Sequence, residues 1–98
     1  MTERLALLAQ LEADPGAGSR LAAVLESARA LAVAESGTVS WYAFRISETR
    51  FGIFDTFETD EGRQAHLNGE IPAALAQVAD GLLAAAPDIQ PVEIVAVK

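Results

Sequence analysis

This sequence predicts an α+β fold of order βαββαβ, with two helices packed on a four-stranded antiparallel sheet. Three observations lead there. A single apolar stripe, Leu21, Val24, Leu25, Ala28, Leu31 and Ala32, recurs at spacings of three and four residues, which is one face of a helix. Two runs rich in β-branched and aromatic residues, 38–46 and 51–58, are separated only by the polar turn Ser47-Glu48-Thr49-Arg50, so they pair as an antiparallel hairpin. A second helical region then leads into the β-branched run 92–97, which closes the order as the split βαβ, ferredoxin-like pattern. At 98 residues and 51% hydrophobic composition the chain is expected to make one domain spanning 1–98, with enough apolar residues for a core.

The elements follow in order. In residues 4–13, Leu5, Leu7, Ala9 and Leu11 alternate with Ala6, Leu8, Gln10 and Glu12. Period two with two partly apolar faces predicts a central strand. Asp14-Pro15-Gly16 ends it. Ser19 is the expected N-cap of the first helix, and Gly37 the expected left-handed residue after it. Strands two and three follow as the hairpin. Thr59 is placed to cap the next helix, with Asp60 and Glu61 in the first turn, where the helix dipole favours negative charge. Gly62 costs a helix about 1 kcal/mol relative to Ala, a cost expected where backbone or ligand comes close. Asn68-Gly69 breaks the helix, and Pro72 restarts it at a first helical position. The stripe Leu75, Val78, Ala79 and Leu82 continues it to Ala86-Pro87, and Pro91 marks the start of strand four. Alternation cannot put Trp41, Phe51, Ile53 and Phe57 all beneath the helices, so some are expected on the opposite sheet face. A second copy of the sheet is the expected cover. The mean hydropathy of +0.24 also favours a homodimer.

Composition excludes several functions. The net charge of −7 argues against nucleic acid and anionic membranes, which are bound by Lys/Arg patches. No cysteine is present, so disulfides, thiolate nucleophiles and zinc–sulfur sites are ruled out, and one histidine cannot make a multi-histidine metal site. Met1-Thr2-Glu3-Arg4 lacks the start of a signal peptide, and no run approaches a membrane span. A cytoplasmic protein is expected.

The chemistry concentrates in residues 51–67. An aromatic strand carrying one acid, Asp55, runs into the helix that holds the only histidine, His66. Aromatic walls, a carboxylate and an imidazole suit a pocket for a flat aromatic molecule. His66 is the candidate base or hydrogen-bond partner, because imidazole titrates near pH 6.5. Asp55 shares side-chain parity with Phe51, Ile53 and Phe57. It could orient His66 or raise its pKa, or it could pair with Arg45 or Arg63 instead. No second titratable partner for His66 is evident on its helix face.

The wording Phe54-Asp55-Thr56-Phe57, with His66 nine residues on, resembles the antibiotic biosynthesis monooxygenase superfamily of small dimeric α+β barrels. That family reads apolar-x-Glu-x-Trp followed by a histidine. Pro15-Gly16 before the first helix, and Gly37-Thr38 before a strand carrying Trp41, resemble its turns too. Asp55 stands where Glu is usual and Phe57 where Trp is usual. The strand-one Asn of haem-degrading relatives has only Gln10 in its place. The resemblance implies a cofactor-independent monooxygenase that oxidises a quinol or polycyclic phenol with O2, with no metal or cofactor. His66 and Asp55 would be catalytic, and Trp41, Phe57, Phe51 and Ile53 would bind substrate. A non-catalytic aromatic-binding barrel is the alternative, and haem binding or degradation a third reading.

Overall fold

A computed structural model describes residues 3–98; Met1 and Thr2, part of the sequence that argues against a signal peptide, lie outside the described residues. The elements are β1 (Leu5–Glu12), α1 (Gly18–Ala34), β2 (Thr38–Arg45), β3 (Arg50–Phe57), α2 (Asp60–Leu67), α3 (Glu70–Val78) and β4 (Asp88–Glu93). The strands form one antiparallel sheet in the order β2-β3-β1-β4. This is the predicted α+β, ferredoxin-like arrangement, with the second helix broken in two at Asn68-Gly69. No helix among the described residues is long and apolar enough to cross a membrane.

The core lies between the helices and one sheet face. Leu11, Phe51 and Ile53 from the sheet meet Leu21, Leu25 and Ala28 of α1 and Ile71 and Leu75 of α3. β1 and β3 run antiparallel with Leu7 opposite Asp55, Ala9 opposite Ile53 and Leu11 opposite Phe51. β2 places Trp41 opposite Asp55 and Arg45 opposite Phe51. Directly opposed residues share a sheet face, so Trp41, Phe51, Ile53 and Phe57 all point toward the helices, contrary to the sequence expectation. The outward aromatic set is instead Tyr42, Phe44 and Phe54, shifted by one residue. Tyr42 is 62% exposed. For Trp41, Tyr42 and Phe44 the cause is a register irregularity between Thr38 and Ser40, which sets the facing of β2 after Val39, whereas Phe51, Ile53 and Phe57 share one parity along β3.

Several termini differ from expectation, each for a local reason. Ser19 lies inside α1, whose cap is Ala17 with no side-chain hydrogen bond. The helix starts at Gly18, where a Cβ would collide with the Glu48 carbonyl oxygen. The left-handed glycines are Gly16 and Gly81, not Gly37. Glu35 ends α1 in an extended conformation. Gly37 serves close packing instead: a Cβ on it would stand 2.9 Å from the Gly62 Cα. That contact also explains the glycine in the first turn of α2. Thr59 caps α2 as expected, its Oγ1 accepting from Gly62 N at 3.1 Å. Pro72 is the third residue of α3, and α3 stops at Val78, well before Pro87. Leu82 is buried beyond it, where its carbonyl accepts from Asp14 N. β4 begins earlier than expected and contains Pro91 opposite Leu7; an edge strand tolerates a residue with no N–H.

Leu21 is fully buried and Val33 of the same helix is 68% exposed. Leu21→Ala should destabilise by about 2–5 kcal/mol and Val33→Ala by under about 0.5 kcal/mol. Urea unfolding of the two variants checks this.

Candidate active site

α2 packs against β3, and its last turn brings His66 to Asp55. His66 Nε2 lies 2.9 Å from Asp55 Oδ2, and Nδ1 lies 2.6 Å from Glu35 Oε1. Asp55 is 1% exposed and His66 7%. Phe57 sits against the imidazole with ring centroids 5.5 Å apart, tilted by 50°. Both ring nitrogens are therefore committed to carboxylates. Burial opposes charge on the ring, but the hydrogen bonds and negative charges of Asp55 and Glu35 outweigh it and push the His66 pKa up to about 9. At neutral pH the ring is an imidazolium that donates from both nitrogens. Of the two roles expected for His66, base or hydrogen-bond partner, this geometry favours the second.

Asp55 is left as the group with free valence. Its Oδ1 is buried and has no hydrogen-bond partner among the described residues. Asp55 and His66 line a cavity of about 200 Å³ between the sheet and α2–α3, whose other walls include Leu7, Ala9, Ile53, Ile71 and Leu75. A buried acceptor without a donor costs about 1–3 kcal/mol, so the site favours a bound O–H or N–H. The glutamate and the aspartate approach opposite nitrogens of one ring and so do not converge on a single ion. Among the described residues no cluster of three metal-ligating side chains occurs.

Of the predicted site residues, His66, Asp55 and Ile53 line this cavity, and Phe57 backs the imidazole. Trp41 and Phe51 do not line it. They border a separate open depression against α1, together with Arg29 and Arg45. The proposed pairings of Asp55 with Arg45 or Arg63 do not form. Arg45 donates to the Ser47 and Glu48 carbonyls and covers the Phe51 ring at 5.0 Å, while Arg63 pairs with Asp60. Gln10 lies on the outward sheet face, where it accepts from Arg50 at 2.9 Å. Glu35 was missed. In sequence it falls on the polar side of α1, and nothing in the helical period signals that α2 will fold back against it.

The chain is 49% identical to the NE2512 protein of unknown function from Nitrosomonas europaea; the match covers 99% of this chain and 94% of that one, with a TM-score of 0.96. The chain belongs to the same family as NE2512. Two more distant structures share the fold. A candidate antibiotic biosynthesis monooxygenase from Nitrosomonas europaea is 10% identical over 94% of this chain and 99% of its own, with a TM-score of 0.83. SnoaB, a cofactor-independent oxygenase from Streptomyces nogalater solved in a mutant form, is 11% identical over 99% of this chain and 97% of its own, with a TM-score of 0.79. The fold is thus that of the antibiotic biosynthesis monooxygenases. No protein-family model and no curated protein matches the chain.

The raised His66 pKa has a consequence for stability. A group whose pKa is higher folded than unfolded stabilises fully below its unfolded value, near 6.5, and loses that contribution as pH rises through about 9. The unfolding free energy from urea titrations should fall over that window, by up to about 3 kcal/mol at about 1.4 kcal/mol per pH unit. His66→Asn should flatten the profile.

Proposed function

We propose that this protein is a cofactor-independent monooxygenase acting on a small phenol or quinol in the cavity beside Asp55. The observation that carries the reading is the buried Asp55 Oδ1 without a partner on an otherwise apolar wall. A cavity near 150 Å³ accepts benzene, so about 200 Å³ suits one ring or two fused rings rather than a larger polycycle. The likeness in fold to SnoaB supports the reaction class.

Chemically, a phenol with a pKa near 10 must lose its proton at neutral pH, which costs roughly 4 kcal/mol. Asp55 Oδ1 accepts that proton, while the His66 imidazolium holds the carboxylate in place through Oδ2 and offsets its charge. The electron-rich anion passes an electron to O2, and the two radicals combine as a ring peroxide. Loss of water then leaves a quinone. One oxygen atom enters the ring and the other leaves as water with two hydrogens from the substrate, so O2 is the only oxidant needed. His66 leaves no ring nitrogen for haem iron, and the cavity is far smaller than a porphyrin needs.

Oxygen uptake with 1-naphthol or naphthalene-1,4-diol should exceed the uncatalysed rate and drop by about 10²–10⁴ in Asp55→Asn, the usual contribution of a positioned base. Saturable binding of the same molecules with no oxygen consumption would replace this reading with that of a non-catalytic aromatic-binding protein.

A second copy is the proposed cover for the outward sheet face, where Tyr42, Phe44 and Ile46 are exposed. Light scattering at micromolar concentration should give twice the chain mass, and Phe44→Glu should halve it.

A further inference from the structure

We infer that Glu35 is a positioning residue that acts on Asp55 through His66, fixing the imidazole so that one chosen oxygen of Asp55 is left for the ligand. The inference rests on the reading of Asp55 as the acting group. A histidine held at one nitrogen only can still turn its ring and exchange the roles of its nitrogens. Here Glu35 takes Nδ1 at 2.6 Å and Asp55 takes Nε2 at 2.9 Å, so the ring has one orientation. That orientation assigns Oδ2 to His66 and frees Oδ1.

Glu35 is itself held. Its Oε1 also accepts from the Thr38 hydroxyl at 2.7 Å, which ties the end of α1 to the start of β2. The backbone contact of Gly37 with Gly62 seats the first turn of α2 directly on this link. A Cβ on Gly62 would stand 2.9 Å from the Gly37 carbonyl oxygen. Two glycines thus set how near His66 comes to Glu35. The arrangement also has two sides. Asp55 and His66 line the apolar cavity. Glu35 and His66 line a separate cleft of about 350 Å³, with Glu70 of α3 and Thr38 in its walls, and the Glu35 side chain is 20% exposed. The ionisable groups facing the ring are therefore Asp55 from β3 and Glu35 from the α1–β2 link, with Glu70 in the cleft wall. A carboxylate reached from solvent is coupled through one ring to a carboxylate that solvent does not reach.

His66 is the only histidine in the chain, so every histidine side-chain NMR signal belongs to it. The ring should be followed by ¹⁵N-detected titration in the wild type, Glu35→Gln and Glu35→Ala, with 2-naphthol affinity measured for each and 2-methoxynaphthalene as the ligand that lacks a donor. Glu35→Gln keeps an acceptor and removes the charge; it should lower the His66 midpoint by at least one pH unit while the Nδ1–H bond persists. Glu35→Ala removes both; it should abolish the protected Nδ1–H signal and weaken 2-naphthol at least tenfold, with 2-methoxynaphthalene changed less than twofold. If Glu35→Ala does not fold, Glu35→Gln alone decides. An unchanged titration in Glu35→Gln, or 2-naphthol affinity within twofold of wild type in a folded Glu35→Ala, overturns the inference. These readouts do not need turnover, so absence of oxygen uptake would remove the oxygenase reading and leave this one standing.

Discussion

A charged imidazole buried between two carboxylates is the constraint on which the site depends. Removing an ion from water is costly, and His66 stays charged only because Asp55 and Glu35 each meet a ring nitrogen with a hydrogen bond and an opposite charge. The cluster of three carries a net charge of −1 when all its members are ionised. Each member needs the others, because removing one carboxylate leaves the ring with an unmet donor, and removing the ring leaves like charges facing each other. The chemistry available at the cavity follows. The imidazole has no free valence, and the oxygen of Asp55 that His66 does not engage is the buried acceptor left without a partner among the described residues.

The scaffold serves this cluster through close backbone approach. The three ionisable groups come from three parts of the chain: the end of α1, the middle of β3 and the last turn of α2. The antiparallel sheet holds β3 in register between β1 and β2, which fixes Asp55. The Thr59 cap and the Gly37–Gly62 contact fix α2, which carries His66. The Thr38 hydroxyl fixes Glu35. α3, after the Asn68-Gly69 break, closes the cavity with Ile71 and Leu75 and keeps the wall opposite Asp55 apolar. A continuous helix from Asp60 onward would have carried those side chains away from the sheet. The break that lowers helix stability locally is therefore what encloses the site.

Much of this was legible in the sequence, and the limits are instructive. The element order, the hairpin, the α1 stripe, the Thr59 cap and the helix break are set by interactions within a few residues, so period and turn chemistry reveal them. The pairing of Asp55 with His66 was legible too, since the resemblance placed both at positions meant for a pocket. What failed was the facing of the aromatics and the ends of elements. A one-residue irregularity between Thr38 and Ser40 decides which β2 side chains point at the helices, and no periodicity announces it. Gly37 looks like a cap when read locally, yet it is one half of the close backbone approach that Gly62 suggested.

By itself the sequence determined the fold class and the chemical types available: one imidazole, no thiol, an acid on an apolar strand, and a surplus of negative charge. Tertiary structure decided the role of each. Whether the single histidine favours its neutral or its charged form depends on how many carboxylates reach it. One of them, Glu35, lies 31 residues away, just past the end of a different helix. Protonation at a buried site is set by distances of a few ångströms between groups remote in sequence. Those distances exist only after packing, so composition and spacing name the participants and the folded chain assigns their charge.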